Sequence, residues 1–369
     1  MKFVCSKSNL LNGVQIVSNA ASNKTTMSIL ECIMVDASKE IITLTANDME
    51  LGIETIIEGE IIEKGVIALD AKIFKEIVRN LPDSDITIET DSSFKTVITC
   101  ENSNFTIIGK SGEDFSYLPV VEKEDSIIIS QFGLKEIVRQ TIFSISDNDN
   151  SKLMTGELFE INGDELKIAS SDGHRISVRK IKLKESYESK KVVVPGKTLN
   201  EVSKILPGGA DSDVTISFTS KHIVFEFDNT TVVSRLIEGE YYNIDRMISS
   251  DYETKVKINK KKLLNCINRA TLLVKEGDKR PIIINILDGN MELKINSIQG
   301  SMNEDIDIEK QGKDLMIGFN PKYLIDALRV IDDEDVELFM VNPKSPCLIK
   351  NNEESYIYLI LPVNFTVVS

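Results

Sequence analysis

The sequence predicts an α+β chain built as three copies of one unit, each with two helices packed on antiparallel sheets. Three observations predict it. A short amphipathic helix, an acidic turn and an alternating strand occur together three times, as DAKIFKEIVRNLPDSDITIET from Asp70, PGKTLNEVSKILPGGADSDVTISF from Pro195 and NPKYLIDALRVIDDEDVELFM from Asn320. Each helix repeats a lysine, an acid four residues on and a base three further: Lys72–Glu76–Arg79, Lys197–Glu201–Lys204 and Lys322–Asp326–Arg329. The three lysines stand 125 residues apart each time, which marks an internal repeat.

The remaining elements recur in the same order. FVCSKSNLLNGVQIVSNA, IIISQFGLKEIVRQTIFSIS and VKINKKKLLNCINRATLLV each read as a strand leading into an amphipathic helix. KEIITLTANDMELGIE, DELKIASSDGHRISVR and NMELKINSIQGSMNEDI read as paired strands. NSNFTIIGKSGEDFSYLP, NTTVVSRLIEGEYYNIDRM and ESYIYLILP close the three copies. Helices are expected over 7–24, 71–81, 131–143, 196–206, 259–275 and 320–331, with roughly eight short strands per unit, antiparallel and covered on one face. The acid-rich stretches VEKEDS and SSDYET set expected domains of 1–124, 125–252 and 253–369. Head-to-tail repeats make one type of contact twice inside the chain and leave a free front and a free back. Such surfaces close into a ring with other copies or polymerise.

Composition narrows the class. The chain has 369 residues, 27% charged and 41% apolar, and runs such as IYLILPV are too short to span a bilayer. MKFVCSKSNLL alternates and lacks the apolar core of a signal peptide. Cys5, Cys32, Cys100, Cys266 and Cys347 lie far apart with no CxxC pair, so buried, reduced thiols in a cytoplasmic protein are expected, with no metal and no cofactor.

A net charge of −15 argues, taken whole, against a polyanionic partner. Its distribution argues the other way. The six expected helices hold 16 Lys and Arg against four acids, so they carry +12 while the rest of the chain carries −27. In the second helix Lys72, Lys75 and Arg79 share a narrow arc opposite Ile73, Phe74, Ile77, Val78 and Leu81. Lys135 and Arg139 behave alike against Leu134, Ile137, Val138 and Ile142. One such stripe is an ordinary solvated face; six of one sign in an acidic protein predict a basic surface built by helices. It would hold phosphates without reading bases, and the acids within three stripes would keep the grip weak. By stripe geometry Lys72, Arg79, Lys135, Arg139, Lys204, Arg269 and Lys322 are the expected DNA-facing residues.

The segment ASSDGHRISV holds one of the chain's two histidines and admits three readings: a turn between strands, the wall of a binding site, or chemistry by Asp172, His174 and Arg175. No nucleophile, base and orienter converge in the sequence, and the other histidine, His222, sits in an alternating strand. GKSG at 109–112 lacks the upstream glycine of a phosphate loop, since Asn104 occupies that position. A DNA-modifying enzyme therefore finds no support, while a repeat scaffold that binds only proteins stays open as an alternative.

The MKF start, the triplicated order, the helix–LP turns at Leu81–Pro82 and Leu206–Pro207, DGHR in the second unit and the YLILPV ending resemble the bacterial DNA polymerase III beta subunits, the sliding clamps, over nearly the whole length. The resemblance implies three repeated domains of the DNA-clamp fold, closing as a head-to-tail homodimeric ring with helices lining the hole. It implies a non-catalytic processivity factor that encircles duplex DNA without sequence preference and tethers the replicative polymerase. The implied partners are double-stranded DNA, a second copy of the chain, the DNA polymerase III alpha subunit, the clamp loader and other clamp-motif proteins, with no membrane.

Residues carry over position by position. A peptide-binding pocket would take Met154, Ser171, Gly173, His174, Arg175 and Ile176, then Tyr242, Arg246 and Met247, then Ser345, Pro346, Ile360, Leu361, Pro362 and Val363. Apolar side chains there would bury leucine or phenylalanine while a few polar groups orient the peptide. Tyr242 stands where the family often has proline, which implies a narrower entrance, and Phe365 or Val367 of the longer tail is expected to fold over the pocket. For DNA the resemblance adds Lys24, Lys197, Asn148 and Lys152. For ring closure it pairs Leu272 and Leu273 with Phe105 and Ile107 of a partner, with less electrostatic help where Asn104 and Met302 stand.

Overall fold

In a computed structural model, the structure describes all of the chain except residues 23, 24, 120, 122–124, 148–150, 250, 275–279 and 366–369. Six α-helices are present among the described residues: α1 (Lys7–Val17), α2 (Ala71–Asn80), α3 (Gln131–Arg139), α4 (Gly196–Ile205), α5 (Lys260–Thr271) and α6 (Pro321–Val330). Short polar side chains start them. Ser6 accepts the Asn9 N–H ahead of α1, Asp70 the Ile73 N–H ahead of α2, Asn259 the Lys262 N–H ahead of α5 and Asn320 the Lys322 N–H ahead of α6.

Three helices end earlier than periodicity alone predicts. α1 stops at Val17, where the Ser18 hydroxyl and the Asn19 amide bond back to the carbonyls of Val14, Gln15 and Ile16. Just past α3 the Thr141 hydroxyl donates to the carbonyls of Ile137 and Val138, and a 3₁₀ turn over Ile142–Ser144 replaces the expected last turn. α5 gives way after Thr271, whose hydroxyl donates to the Asn268 carbonyl. One expectation within α2 fails too. Ile73 is 51% exposed while Phe74, Ile77 and Val78 are buried, because at 100° per residue Ile73 lies at the edge of that arc.

The chain divides into two compact units, Met1–Phe132 with Glu201–Leu236, and Gly133–Asn200 with Ile237–Ser369. Backbone pairing explains the division. In the first unit an eight-stranded antiparallel sheet runs in the order Asp125–Ser130, Asp213–Phe218, His222–Phe227, Thr230–Arg235, Leu51–Ile57, Ile42–Asn47, Cys32–Asp36, Val66–Asp70. Its middle seam joins two repeats, with Val232 opposite Ile53 and Val233 opposite Gly52. The second unit repeats this arrangement in a seven-stranded sheet. There Arg175–Pro195 pairs with Tyr356–Ile360, placing Arg175 opposite Ile360 and Ser177 opposite Tyr358.

Each unit also holds a smaller sheet. In the first, Ser103–Ile108 is the outer strand beyond Lys95–Cys100; in the second, Gly300–Asp307 is the outer strand beyond Asn290–Ser297. Helices pack on the sheets within each unit. α1 packs on α2 and on the strand Leu51–Ile57 so closely that a Cβ at Gly13 would stand 2.5 Å from the Ile57 side chain. α5 and α6 bury Leu263, Ile267, Leu324 and Leu328 against Ile284, Leu293 and Ile317. All five cysteines are buried and free.

Candidate functional site

The DGHR segment is a turn between the strands Gly156–Ser171 and Arg175–Pro195. Asp172 Oδ1 accepts the N–H groups of His174 at 2.9 Å and Arg175 at 3.0 Å. The Ser171 hydroxyl accepts the Gly173 N–H and donates to the Arg175 carbonyl. Gly173 takes φ +83°, a left-handed value that costs other residues strain.

Arg175 is 7% exposed and fully engaged. Its Nε meets Asp172 Oδ2 at 2.9 Å, Nη1 meets Asp326 Oδ2 at 2.7 Å, and Nη2 donates to the Phe143 carbonyl. The guanidinium also lies over the rings of Tyr323, at 4.6 Å, and Phe143, at 5.3 Å. His174 remains exposed, its imidazole stacked on Tyr323 with centroids 6.2 Å apart. Its carbonyl accepts the Leu361 N–H at 2.9 Å, which ties the C-terminal segment to the turn. Around these groups opens a cavity of about 1060 Å³, lined by Phe143, Ile145, Asp147, Asp172, His174, Arg175, Lys322, Tyr323 and Asp326. Its aromatic floor and mixed charge suit a peptide with an apolar side chain and a polar backbone. Burial, and next Asp172, push the Tyr323 hydroxyl above its ordinary pKa, so it stays a neutral donor.

The residues carried over as the pocket divide into two sets. Met154 caps the turn, its methyl 4.0 Å from where a Cβ on Gly173 would stand. Tyr242, Arg246, Met247 and Leu361 are exposed, and Ser345, Pro346, Pro362 and Val363 are half-buried. Ser171 is 6% exposed and spent on the turn. Ile176 and Ile360 are buried in core clusters, Ile176 with Val178, Tyr241 and Ile244 on the sheet face opposite Arg175. Tyr242 sets its ring edge to face with Tyr241, 5.9 Å away. Val363 donates to the Gly318 carbonyl, and Phe365 packs on Gly318 and is not among the residues that line the cavity; Val367 lies outside the described residues. Sequence reading missed Tyr323, Phe143 and Asp326, which lie far from DGHR along the chain.

Beneath this site lies a buried carboxyl that alternation gave no reason to single out. Glu157 is 0% exposed, and neither carboxyl oxygen has a hydrogen-bond partner. Burial pushes its carboxyl up to about 8, which the nearby Thr141 hydroxyl offsets only in part because it is committed to backbone carbonyls.

The cationic residues sit on helices of both units. In the first, Lys72, Lys75 and Arg79 of α2 and Lys204 of α4 line one concavity of about 640 Å³, together with Glu76 and Glu201. In the second, Lys197 is exposed and Lys135 half-buried; Lys152 is exposed on a 3₁₀ turn, and Lys322 borders the His174 cavity. Lys24 and Asn148 lie outside the described residues. Several of the bases are already paired: Arg79 with Glu76, Arg139 with Glu136 and Asp332, Lys204 with Glu201 and Arg269 with Glu304. Three of these pairs are the same i,i+3 contact in successive helices, each worth a few tenths of a kcal/mol at most, on the order of 0.3–0.5. A phosphate can displace such a carboxylate at small cost.

The outer strands carry the remaining candidates. Phe105 is 41% exposed and Ile108 72% exposed on Ser103–Ile108. Leu272 is 78% exposed, while Leu273 packs against the core with its Cδ2 4.0 Å from where a Cβ on Gly300 would stand, at the start of the outer strand Gly300–Asp307.

Family models for the DNA polymerase III beta subunit match in sequence order: its N-terminal domain over residues 1–119, its central domain over 128–243 and its C-terminal domain over 245–364. The beta sliding clamp of Staphylococcus epidermidis is 33% identical over 376 residues, spanning 98% of this chain and 99% of its own. That of Staphylococcus aureus is 33% identical over 374 residues with the same coverage. Among solved structures, a putative DNA polymerase III beta subunit from Eubacterium rectale superposes with a TM-score of 0.97 at 71% identity, covering 99% of this chain and 100% of that one. The DNA polymerase sliding clamp of Bacillus subtilis gives 0.95 at 32% identity with the same coverage.

Proposed function

The chain belongs to the DNA polymerase III beta subunit family, the bacterial sliding clamps, and from that membership we propose how its residues perform a clamp's work. A sliding clamp is a processivity factor with no catalysis of its own: it surrounds duplex DNA and holds a polymerase there. Two copies of this chain close head to tail, each repeat forming one clamp domain, with boundaries near residues 124 and 252.

The observation that carries the ring is a seam made twice and left open twice. Ser103–Ile108 stands in its hairpin as Thr230–Arg235 stands in the next repeat, Phe105 opposite Ile98 as Val232 is opposite Phe225. Gly300–Asp307 likewise stands as Leu51–Ile57 does, Met302 opposite Ile295 as Ile53 is opposite Ala46. Since Val232 pairs with Ile53 and Val233 with Gly52, Phe105 of one copy faces Met302 of the other, and Thr106 faces Ser301. Leu272 and Leu273 then close over Phe105 and Ile107, giving an interface that relies on apolar burial more than on charge.

DNA is held by phosphate contacts from Lys72, Arg79, Lys135, Arg139, Lys152, Lys197, Lys204, Arg269 and Lys322, without base readout. The acids beside several of these bases keep each contact exchangeable, which suits sliding. The His174 cavity, acting with the carried-over Met154, Tyr242, Met247 and Leu361, takes a short peptide from the polymerase alpha subunit, the clamp loader and other clamp-binding proteins.

The seam is tested with Thr106→Cys and Ser301→Cys in one chain, oxidised and run under denaturing conditions. Opposed strand positions bring cysteine Cα atoms within bridging distance, and the five native thiols are buried. The ring predicts a covalent dimer; monomers alone, or a ladder of longer polymers, would refute it.

A further inference from the structure

The His174 turn has a counterpart in the first unit. Asp48 Oδ1 accepts the N–H groups of Glu50 at 3.1 Å and Leu51 at 2.8 Å, as Asp172 does for His174 and Arg175. Asn47 Oδ1 accepts the Met49 N–H as the Ser171 hydroxyl accepts that of Gly173. Met49 takes φ +76° where Gly173 takes +83°. Arg235 donates its N–H to the Glu50 carbonyl as Leu361 donates to that of His174. The same seam, turn and crossing segment are therefore assembled a second time.

This second assembly also encloses a cavity, of about 260 Å³, lined by Met49, Glu50, Tyr117, Leu118, Pro119, Val233, Arg235 and His222 among others. Its wall is fixed by a close approach: a Cβ on Gly52 would stand 2.0 Å from Leu118 Cδ2, so the 116–119 segment lies on bare backbone. Met49 is 52% and Tyr117 57% exposed at its lip, large apolar groups left uncovered around a hole with room for one large side chain. The lining carries one cation, Arg235, and one acid, Glu50, with Lys221 just outside it and the Asp48 carboxylate held in the adjoining turn. Arg235 and Lys221 are exposed and flank His222, whose imidazolium is disfavoured by burial first and then by those two cations.

We propose that this cavity is a second docking site on the clamp, taking one apolar side chain of a partner protein's linear segment while Arg235 and Lys221 meet a carboxylate beside it. The proposal rests on the reading of the His174 cavity as peptide-binding, because the two share a scaffold. Size and charge separate them: about 260 Å³ against about 1060 Å³, and the exposed Arg235 and Lys221 against the paired Asp172, Arg175 and Asp326. The occupant is accordingly shorter and acidic.

The test uses the full chain carrying ¹³C-methyl methionine and the peptide acetyl-Asp-Leu-Phe-amide as probe. Met49 reports on the second cavity and Met154 on the His174 cavity, so the two are read in one titration. The expected result is a saturable shift of the Met49 methyl that weakens at least tenfold in Arg235→Glu, with the Met154 response unchanged. Tyr117→Ala, at an exposed position, carries the same test should Arg235→Glu fail to fold. A Met49 signal that stays still while Met154 responds overturns the second site and leaves the first intact. A Met49 response with Met154 silent upholds the second site and sinks the peptide reading of the first; silence at both sinks both. A Met49 shift equal in native chain and variants overturns the assigned chemistry.

Discussion

At Ser171–Arg175 and at Asn47–Leu51 the backbone follows one hydrogen-bonding plan, yet the side chain that ends each turn differs in kind. Leu51 is 1% exposed, whereas Arg175 is buried at 7% exposure between two carboxylates and two aromatic rings. The contrast extends to the strand beneath. Ile33 faces Leu69 in the first unit, and Glu157 faces Val194 in the second, both with no exposure. One repeat solves its core with hydrocarbon and the other places ionisable groups under the same turn. The fold is thus set by what the copies share, and the proposed peptide site by where they differ.

The largest expected effect comes from breaking the buried arginine network. Arg175→Ala leaves Asp172 and Asp326 without their cation and should lower unfolding free energy by about 3–5 kcal/mol, with loss of the ordered His174 turn. Leu51→Ala, at the matching position, removes only packing and should cost about 2–4 kcal/mol with the turn intact. Urea unfolding followed separately in each unit measures both. A loss below about 1 kcal/mol for Arg175→Ala would place it with exposed pairs and erase the distinction.

Glu157 sharpens the comparison through pH. Its folded carboxyl titrates near 8, above the ordinary value of 4.5, so the folded state binds the extra proton between those limits. Stability should therefore fall as pH rises from about 4.5 to 8, by a few kcal/mol in all, and then level. Glu157→Gln should flatten that slope and leave the variant more stable than the native chain at pH 9, read from thermal unfolding at several pH values. An identical slope in the variant would show that Glu157 is solvated.

Much of this was legible in the sequence because it is local. The six helices and their cationic arcs depend on neighbours a few positions away, and the 125-residue interval emerges when those local patterns are laid side by side. The compact units were not legible, since they are defined by strand pairs such as Val232 with Ile53, which join different repeats. The roles of Tyr323 and Asp326 at the site were hidden for the same reason: only the folded chain sets them against Arg175. Glu157 escaped for another. A lone glutamate in an alternating strand reads as a solvent-facing residue, and nothing nearby signals that both faces are covered there.

The central claim is that the seam made twice within the chain is made again between two chains, enclosing DNA. Retention on nicked circular DNA, compared with the same DNA linearised, tests it most directly. The account predicts that chains loaded on the circle survive a rise in salt and escape once an end is cut. Equal loss from circle and line would mean that nothing is encircled.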